Sequence, residues 1–286
     1  MVVWICIPVF NRIEFTLACL KSIYSQDYKD YRVIVCDHGS TDGTTGRINE
    51  LYPDVVVVNA DSCLWWTGAT NRCVEYVLTQ AGEGDHLLTL NNDTELPENY
   101  LSEMLKQSSN YPHSLLTSVV HDIATGQRVS EGFRQSWWGA KDRRVRFSEH
   151  HVSSDENAMQ VNLVSGRGTL IPVEVFHKVG LYDERHLPHY AADYDFGHKA
   201  FRAGYPAYVF QSCKVFSYVE ATGLSAVRNK FSFDSFVKYL TNIKSPANLS
   251  ARWWYAWNNC PKIILPWYMV LDFLRLVAGY LKYFIK

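Results

Sequence analysis

Residues 87–101 read LLTLNNDTELPENYL, and this stretch decides the fold. An apolar run ends in Asn91-Asn92-Asp93, and Pro97 then marks the start of a helix. In parallel sheets the strands are apolar throughout, and ligands bind at their carboxyl ends. Two amides and a carboxylate at the end of an apolar strand therefore indicate a ligand site.

Similar apolar, β-branched runs recur and alternate with stretches of helical spacing. Apolar strands that alternate with helices predict an α/β fold with a mostly parallel sheet covered on both faces. Residues 121–160 are polar and predict loops with a short hairpin, and helical spacing returns from Asp193 to Ala203. The apolar runs lie at 2–9, 31–36, 55–59, 86–90 and 115–120.

Charge divides the chain into two parts. The 286 residues carry 28 basic and 29 acidic side chains, a balance that provides no field for nucleic acid. Residues 226–286 nevertheless hold nine basic residues against two acidic ones. We therefore expect a main domain over 1–225 and a distinct basic extension over 226–286.

The cysteines and the N-terminus indicate a reducing, cytoplasmic setting. Seven cysteines without a CxxC pair argue against a disulfide framework or a zinc cluster. The apolar start of the chain is too short for a signal peptide and lacks a basic flank.

Common catalytic motifs are missing from the sequence. It contains no GxGxxG, GxxxxGK[ST], GxSxG or HExxH, which disfavours dehydrogenases, P-loop enzymes and the usual hydrolases. The residues that remain for chemistry are carboxylates at strand ends and helix starts, namely Asp37, Asp93, Asp193 and Asp195.

Six segments lie at predicted strand ends or helix starts: IPVFNR (7–12), VCDHGSTDGT (35–44), GATNRCV (68–74), LLTLNNDTELPENYL (87–101), SGRGTLIPVEVFHKVGLYDE (165–184) and AADYDFGHKAFRAGY (191–205). In this order they resemble the inverting nucleotide-sugar glycosyltransferases of family 2. That resemblance implies that 1–225 is a GT-A-like catalytic domain, a Rossmann-type sheet flanked by helices, followed here by a helical C-terminal extension. LWWTGATN (64–71) is most similar to bacterial enzymes that build cell-surface polysaccharides, including rhamnosyltransferase-like members.

The resemblance implies a metal site at the end of the fourth strand. Asp93 takes the last position of a DxD-like motif and is the expected ligand of Mg²⁺ or Mn²⁺. Asn91 stands where the family has its first Asp, and Asn92 is a second neutral partner. A divalent ion held there stabilises the negative charge of a departing diphosphate. The further metal-binding His of the family has no clear match in 211–225.

The resemblance also implies a catalytic base. Inversion requires the acceptor hydroxyl to lose its proton to a carboxylate as it attacks. Asp193 aligns with that base, and N-capping of its own helix is the competing role. Asp195, Trp66 and His189 are expected on the acceptor side, although each has an ordinary alternative as a solvated, core or loop residue.

The donor is expected to lie along the ends of the first, second and fourth strands. Asp37 aligns with the carboxylate that accepts the N3–H of uracil or thymine. Arg167, between two glycines, is expected to reach the diphosphate or the sugar. The other donor-side residues lie at strand ends or helix starts, and they are Pro8, Phe10, Arg12, Gly68, Asn71 and Arg72.

The basic extension has the pattern of an amphipathic helix. Four of the nine tryptophans lie in it, and its longest uncharged run, 263–271, is far shorter than the about 20 residues needed to span a bilayer. We expect it to lie in a membrane interface or, alternatively, to pack on the catalytic domain or a second subunit. The polar stripe of the helix consists of Asp272, Arg275, Gly279, Lys282 and Lys286.

These patterns together predict an enzyme that transfers a sugar from a UDP- or dTDP-sugar to a glycan hydroxyl. The acceptor is expected to be linked to polyprenyl diphosphate, and the enzyme to act at the inner face of the cell membrane. Two alternatives are a nucleotidyltransferase and an inactive sugar-nucleotide-binding subunit.

Overall fold

Strands and helices alternate through the first part of the chain, as the apolar runs predict. The computed structural model describes residues 1–147, 158–219 and 232–285. The four strands expected here are all confirmed. The elements are β1 (Val3–Val9), α1 (Ile13–Tyr24), β2 (Tyr31–Asp37), α2 (Thr44–Leu51), β3 (Val56–Asn59), α3 (Trp65–Gln80) and β4 (His86–Thr89).

The strand β1 is the centre of the parallel half of the sheet. It pairs in parallel with β2 on one side and with β4 on the other, and β3 lies beyond β2. Val9 lies opposite Asp37, and Cys6 lies opposite Thr89. The polar residues that follow β1, β2 and β4 therefore meet at one edge of the sheet, as the sequence predicts.

Both faces of β1 are buried. Ile5 and Ile7 pack in the core that includes Leu20 of α1, whereas Cys6 packs in the core that includes Cys73 of α3. Because successive side chains of a strand point to opposite faces, each face needs its own helical cover. This explains why β1 is apolar throughout and why polar residues begin only at its end.

The second half of the sheet is mixed. The strand order is β10-β12-β6-β11-β4-β1-β2-β3, and β11 runs antiparallel to both β4 and β6. The expected α/β sheet flanked by helices is confirmed, with parallel pairing concentrated around β1. The further elements are β5 (Thr94–Glu95), α4 (Tyr100–Asn110), β6 (Leu115–Asp122), β7 (Arg128–Ser130), β8 (Phe133–Ser136), β9 (Lys141–Arg144), β10 (Ala158–Val161), β11 (Thr169–Pro172), α5 (Val173–Val179), α6 (Ala192–Arg202) and β12 (Ala207–Ser217).

Two local expectations are sharpened by these bounds. The helix expected at Pro97 begins at Tyr100, because the Tyr100 N–H bonds the Pro97 carbonyl (3.1 Å) in a turn that precedes the helix. The short hairpin expected within 121–160 is present as β8 and β9, which pair antiparallel. Residues 148–157 of that region lie outside the described residues.

The described part of the basic extension is helical, as expected. It consists of α7 (Phe233–Thr241), α8 (Leu249–Asn259) and α9 (Leu265–Ile285). The boundary expected at residue 225 lies within 220–231, outside the described residues. None of the helices in the described ranges is both long enough and apolar enough to cross a bilayer.

Asp195 joins α6 to α8 of this extension. Its carboxylate is fully buried, pairs with Lys199 Nζ (2.8 Å), and accepts hydrogen bonds from Asn258 Nδ2 (3.2 Å) and Asn259 Nδ2 (2.7 Å). The expected acceptor-side role of Asp195 is therefore wrong, because α8 covers the side chain. A residue two positions from Asp193 on a helix points elsewhere, and here it points at the extension.

The polar stripe expected on α9 is wrong at its first residue, Asp272. Its carboxylate is buried and accepts a hydrogen bond from Arg252 Nε (2.6 Å), while a second bond joins it to Arg252 Nη2. The first residue of the stripe therefore faces Arg252 of α8 rather than solvent, and the buried carboxylate is paired with that guanidinium.

We predict that Asp195→Ala destabilises the whole chain by about 3 kcal/mol, since it removes a buried ion-pair partner and two hydrogen bonds. Urea unfolding followed by circular dichroism measures the change. Asp54→Ala, which removes an exposed carboxylate, is the matched control and is expected to leave the unfolding midpoint unchanged. Equal midpoints for the two variants would contradict the assigned role.

Candidate functional site

Asp93 is a buried carboxylate at the carboxyl end of the central strands. The side chain is 2% exposed, and its Oδ1 atom has no hydrogen-bond partner among the described residues. Its Oδ2 atom lies 3.9 Å from Arg12 Nη1. Burial raises the pKa of Asp93, and the positive charges of Arg167 and Arg12 lower that pKa in part. Asp93 thus offers a charged oxygen that the protein itself leaves unsatisfied.

The two asparagines before Asp93 fix its position. Asn91 Oδ1 accepts a hydrogen bond from the indole Nε1 of Trp66 (2.8 Å), and Asn92 Nδ2 donates to Thr16 Oγ1 (3.0 Å). The amides therefore tie the end of β4 to α3 and to α1. Asn91 keeps a second lone pair on Oδ1 for a ligand, because an amide oxygen can accept two bonds.

Asp193 lies in the first turn of α6 and contacts the glycine loop before β11. Its Oδ2 atom accepts from the Gly166 N–H (3.1 Å), and its Oδ1 atom accepts from the Tyr194 N–H (2.9 Å). Burial raises the pKa of Asp193, while those two hydrogen bonds and the charge of Arg167 lower it in part. The N-cap residue of α6 is Ala191, which has a left-handed backbone and no side-chain cap, so Asp193 is not the N-cap, although it satisfies one first-turn N–H, that of Tyr194.

Position 166 must be glycine because the ring of Trp66, which bonds Asn91, lies directly against it. A Cβ atom on Gly166 would lie 2.3 Å from Cζ2 of Trp66, far inside van der Waals contact. The glycine lets the loop backbone approach the indole ring closely. That close approach brings the ligand-facing ends of α3, β4 and α6 together.

These segments line a cavity of about 550 Å³. A volume of this size is typical of a ligand site. The cavity brings together five of the residues expected from the sequence: Trp66, Asn91, Arg167, His189 and Asp193.

His189 faces this cavity as a neutral imidazole. Its Nδ1 atom is buried and has no hydrogen-bond partner among the described residues. Burial, with a contribution from the charge of Lys244, lowers the pKa of His189 to about 4. A neutral ring with an unsatisfied nitrogen is suited to a hydrogen bond with a hydroxyl group of a ligand.

The expected nucleotide end is only partly open. The Asp37 carboxylate is buried and accepts from the Ser40 N–H (2.8 Å) and from Thr45 Oγ1 (2.5 Å), so it organises the loop after β2. Phe10 is exposed and stacks on His38 with ring centroids 5.1 Å apart. Pro8 is buried within β1 and lies opposite Cys36 of β2, so the structure does not place its ring at the exposed end of the strand, in contrast to its expected ligand contact.

Gly68, Asn71 and Arg72 do not form the expected anion site. The helix α3 begins at Trp65, so these residues lie within it rather than at its start. Asn71 is buried, donates to the Tyr182 carbonyl (3.0 Å) and accepts from the Tyr182 N–H (3.1 Å).

Arg72 and Gly68 face the same loop. Arg72 pairs with Glu75 and, at 2.9 Å, with Glu184, and a Cβ on Gly68 would meet Leu64 and Glu184. All three positions therefore support the loop after α5.

Sequence reasoning missed the far wall of the cavity. Arg252 and Tyr255 of α8, Tyr268 of α9, and Lys141 and Asp142 of β9 all line it. These residues are distant in sequence from Asp193, and the motifs give no signal for them. The tryptophan-rich composition of the extension indicated a surface role instead.

The described residues supply one suitable metal ligand, the carboxylate of Asp93. Within the described ranges, no group of three or more His, Cys, Asp and Glu side chains gathers at one point. The unsatisfied Oδ1 of Asp93 is a suitable oxygen ligand for Mg²⁺ or Mn²⁺. Further ligands would come from phosphate oxygens and water, which Mg²⁺ ordinarily retains.

The fold is the GT-A glycosyltransferase fold. GalNAc-T7, solved with UDP, GalNAc and Mn²⁺, is structurally similar to this chain, with a TM-score of 0.63 and 15% sequence identity; the match covers 76% of this chain and 44% of that protein. TarS 1–349 from S. aureus has a TM-score of 0.60 at 16% identity and covers 95% of this chain and 88% of its own length.

Family models assign the chain within that class. The model "Glycosyl transferase family 2" matches residues 4–164, and "Glycosyl transferase family group 2" matches residues 86–285. The chain belongs to glycosyltransferase family 2, as the six sequence segments indicate.

Two relatives are similar in sequence. The N-acetylglucosaminyl-diphospho-decaprenol L-rhamnosyltransferase of Mycobacterium tuberculosis is 23% identical over 218 residues, which cover 68% of this chain and 69% of the relative. The GalNAc(5)-diNAcBac-PP-undecaprenol beta-1,3-glucosyltransferase of Campylobacter jejuni is 30% identical over 110 residues, which cover 38% and 35%.

We predict that Asp93→Asn raises the melting temperature of the ligand-free protein. A carboxylate whose pKa is raised by folding stabilises the fold only at low pH, and that stability is lost as the pH rises through the raised pKa. At neutral pH the buried charge therefore costs stability, and the neutral amide removes the cost. Thermal unfolding at pH 7.5 measures the shift, and Asp54→Asn, at an exposed site, is the control. A lower melting temperature for Asp93→Asn would contradict the prediction.

Proposed function

We propose that this chain transfers a sugar, with inversion, from a UDP- or dTDP-sugar to a hydroxyl group of a lipid-linked glycan in cell-surface polysaccharide synthesis. The observation that carries the proposal is the cavity in which Asp193, Arg167 and Asn91 meet beside the unsatisfied carboxylate of Asp93. A base and a charged diphosphate site on one cavity are what an inverting transfer needs.

Asp193 is the proposed base. The acceptor oxygen attacks the anomeric carbon as the bond from that carbon to the diphosphate oxygen breaks, and the bonding electrons leave with the diphosphate. The acceptor proton passes to a carboxylate oxygen of Asp193. Each of these oxygens accepts one backbone hydrogen bond and keeps lone pairs for the proton. The raised pKa strengthens Asp193 as a base.

Arg12, Arg167 and Asp93 are proposed to bind the diphosphate end of the donor. Both arginines interact electrostatically with Asp93, so their positive charge is concentrated at the carboxyl end of β4. Asp93 would hold Mg²⁺ or Mn²⁺ through Oδ1, and the bound ion supplies Lewis-acid stabilisation to the diphosphate. A guanidinium presents paired donors that match phosphate oxygens.

The proposed donor and acceptor classes have separate support. The exposed ring of Phe10 and the nearby carboxylate of Asp37 suit a pyrimidine base, and the structural relative GalNAc-T7 was solved with UDP. The names of both sequence relatives specify acceptors on a polyprenyl diphosphate. We infer that this enzyme likewise acts at the inner face of the cell membrane.

We predict that Asp193→Asn lowers kcat by about 10²–10⁴-fold with a small change in the KM of the donor, since only the proton acceptor is lost. In the unaltered enzyme, activity falls as the pH drops through the raised pKa of Asp193, because the protonated acid is no longer a base. Release of UDP or dTDP in the presence of acceptor measures both effects.

Glu103→Gln, which neutralises a carboxylate in the first turn of α4, is the control for that experiment. It is expected to keep the full rate. An Asp193→Asn enzyme with unchanged kcat would exclude Asp193 as the base and would favour a nucleotidyltransferase.

We predict that Mn²⁺ binds tightly only when UDP is present, because the protein supplies a single carboxylate and the nucleotide supplies the other charged ligands. Isothermal titration with Mn²⁺ is made with and without saturating UDP. UDP is expected to tighten the binding at least tenfold. Asp93→Asn is expected to abolish that difference, and tight binding of Mn²⁺ to the nucleotide-free protein would contradict the prediction.

A further inference from the structure

The helix α9 presents apolar side chains on two opposite faces. One face is buried, where Tyr268 packs against α8 and Tyr280 packs against α7. The other face exposes Trp267 (53%), Val270 (58%) and Leu274 (56%), which are spaced at i, i+3 and i+7. A helix at the surface of a soluble domain ordinarily has polar residues on its outer face. The exposed apolar residues therefore indicate that the outer face of α9 binds a partner.

The turn between β8 and β9 extends this exposed surface. Trp138 in that turn is 72% exposed, and its carbonyl accepts a hydrogen bond from Trp267 Nε1 (3.0 Å). Ile263, in the turn that precedes α9, is 92% exposed. We define the apolar face as Trp138, Ile263, Trp267, Val270 and Leu274. Clustered large apolar side chains of this kind mark an interaction surface.

The exposed charges of the extension and of β9 are mostly positive, and Lys262 and Arg275 directly adjoin Ile263 and Leu274 of the apolar face. Asp272, the one acidic residue on α9, is buried and paired with Arg252, so it offsets nothing at the surface. The exposed basic residues of the extension and of β9 are Lys238, Lys244, Lys262, Arg275, Lys282, Lys141, Arg143 and Arg144, against Asp234 and Asp142 as exposed acidic residues.

We propose that the apolar face docks on an anionic lipid surface, with the basic residues at the level of the headgroups. Tryptophan rings favour the boundary between hydrocarbon and water, and basic side chains are attracted to anionic lipid. The helices of the described ranges are not suited to crossing a bilayer, so α9 lies in the plane of the interface.

A second copy of the chain fits this face less well. A two-fold dimer places the same patch of each subunit against the other. Such contact would bring two patches that both carry Lys262 and Arg275 together, and α9 exposes no acidic residue in its described length to neutralise them. Anionic lipid satisfies the same charges directly.

Docking also orients the catalytic cavity. Ala140 of the β8–β9 turn, Lys141 of β9 and Tyr268 of α9 line the cavity that contains Asp193. Lipid contact therefore holds this side of the cavity at the membrane surface, where a glycan on a lipid diphosphate projects. This last step rests on the proposed function, whereas the docking surface does not.

Vesicle co-sedimentation of the full chain tests the proposal without nucleotide or acceptor. We expect the chain to bind phosphatidylcholine vesicles that contain phosphatidylglycerol, and to bind pure phosphatidylcholine at least tenfold more weakly. Binding to the anionic vesicles is expected to weaken as NaCl is raised, because salt screens the basic residues.

Trp267→Glu/Leu274→Glu is expected to lower binding to anionic vesicles at least tenfold. The matched control, Leu51→Glu/Phe201→Glu, replaces two comparably exposed apolar side chains outside the extension with the same charges and is expected to keep full binding. Thermal unfolding confirms that both variants fold, and single substitutions at the same positions replace any variant that does not.

Three results would overturn the proposal. They are failure of the unaltered chain to bind anionic vesicles, an equal loss in the control variant, and a dimer in light scattering that only Trp267→Glu/Leu274→Glu dissociates, without vesicle binding. Transfer to a soluble acceptor analogue is measured separately. If the chain binds vesicles but transfers no sugar, the proposed function is wrong, whereas the proposed docking surface is supported.

Discussion

The burial of β1 on both faces is the constraint on which the rest of the structure depends. The strand is hydrogen-bonded to a neighbour on each side and covered by α1 and α3, so no polar side chain is tolerated along its length. Polar residues are displaced to the carboxyl end, where β2 and β4 end as well. The edge at which Asp37 and Asp93 meet is thus a consequence of how the core is packed.

The site is assembled by hydrogen bonds between segments that are far apart in the chain. Trp66 of α3 bonds Asn91 after β4, and Gly166 before β11 bonds Asp193 of α6. Each bond fixes one ligand-facing group against a backbone segment from another part of the fold. The unsatisfied Oδ1 of Asp93 lies next to these bonded segments, and its burial without a partner costs stability.

The basic extension has an inner face that packs on the rest of the chain and an outer apolar face, and its composition does not show which residues belong to which face. Its inner face docks through Arg252 and Asp272 and through the asparagines that bond Asp195, and it completes the wall of the cavity. Its outer face carries the exposed tryptophan and leucine side chains. The polar stripe expected on α9 therefore begins with a buried pair, because a helix packed on a domain satisfies charges inward as well as outward.

From the sequence alone, the order of the strands and helices along the chain, the α/β class, the sheet edge where polar residues gather and the family could be predicted. Strand periodicity and turn residues are local signals, so β1 to β4, α6 and the Asn91–Asp93 turn could be predicted directly. The sequence also indicated Asp93, Asp193 and Arg167, since each lies at an element boundary within a family segment.

Tertiary structure alone decided what each polar side chain contacts. The start of α3 at Trp65 turned Asn71 and Arg72 toward a loop, and the docking of α8 buried Asp195. Tertiary structure also brought Arg252 and Tyr268 to the cavity and left Trp267 exposed. These outcomes depend on pairs of residues tens to more than a hundred positions apart. Local sequence patterns do not predict such pairs, because the two residues come into contact only when the helices and strands pack together.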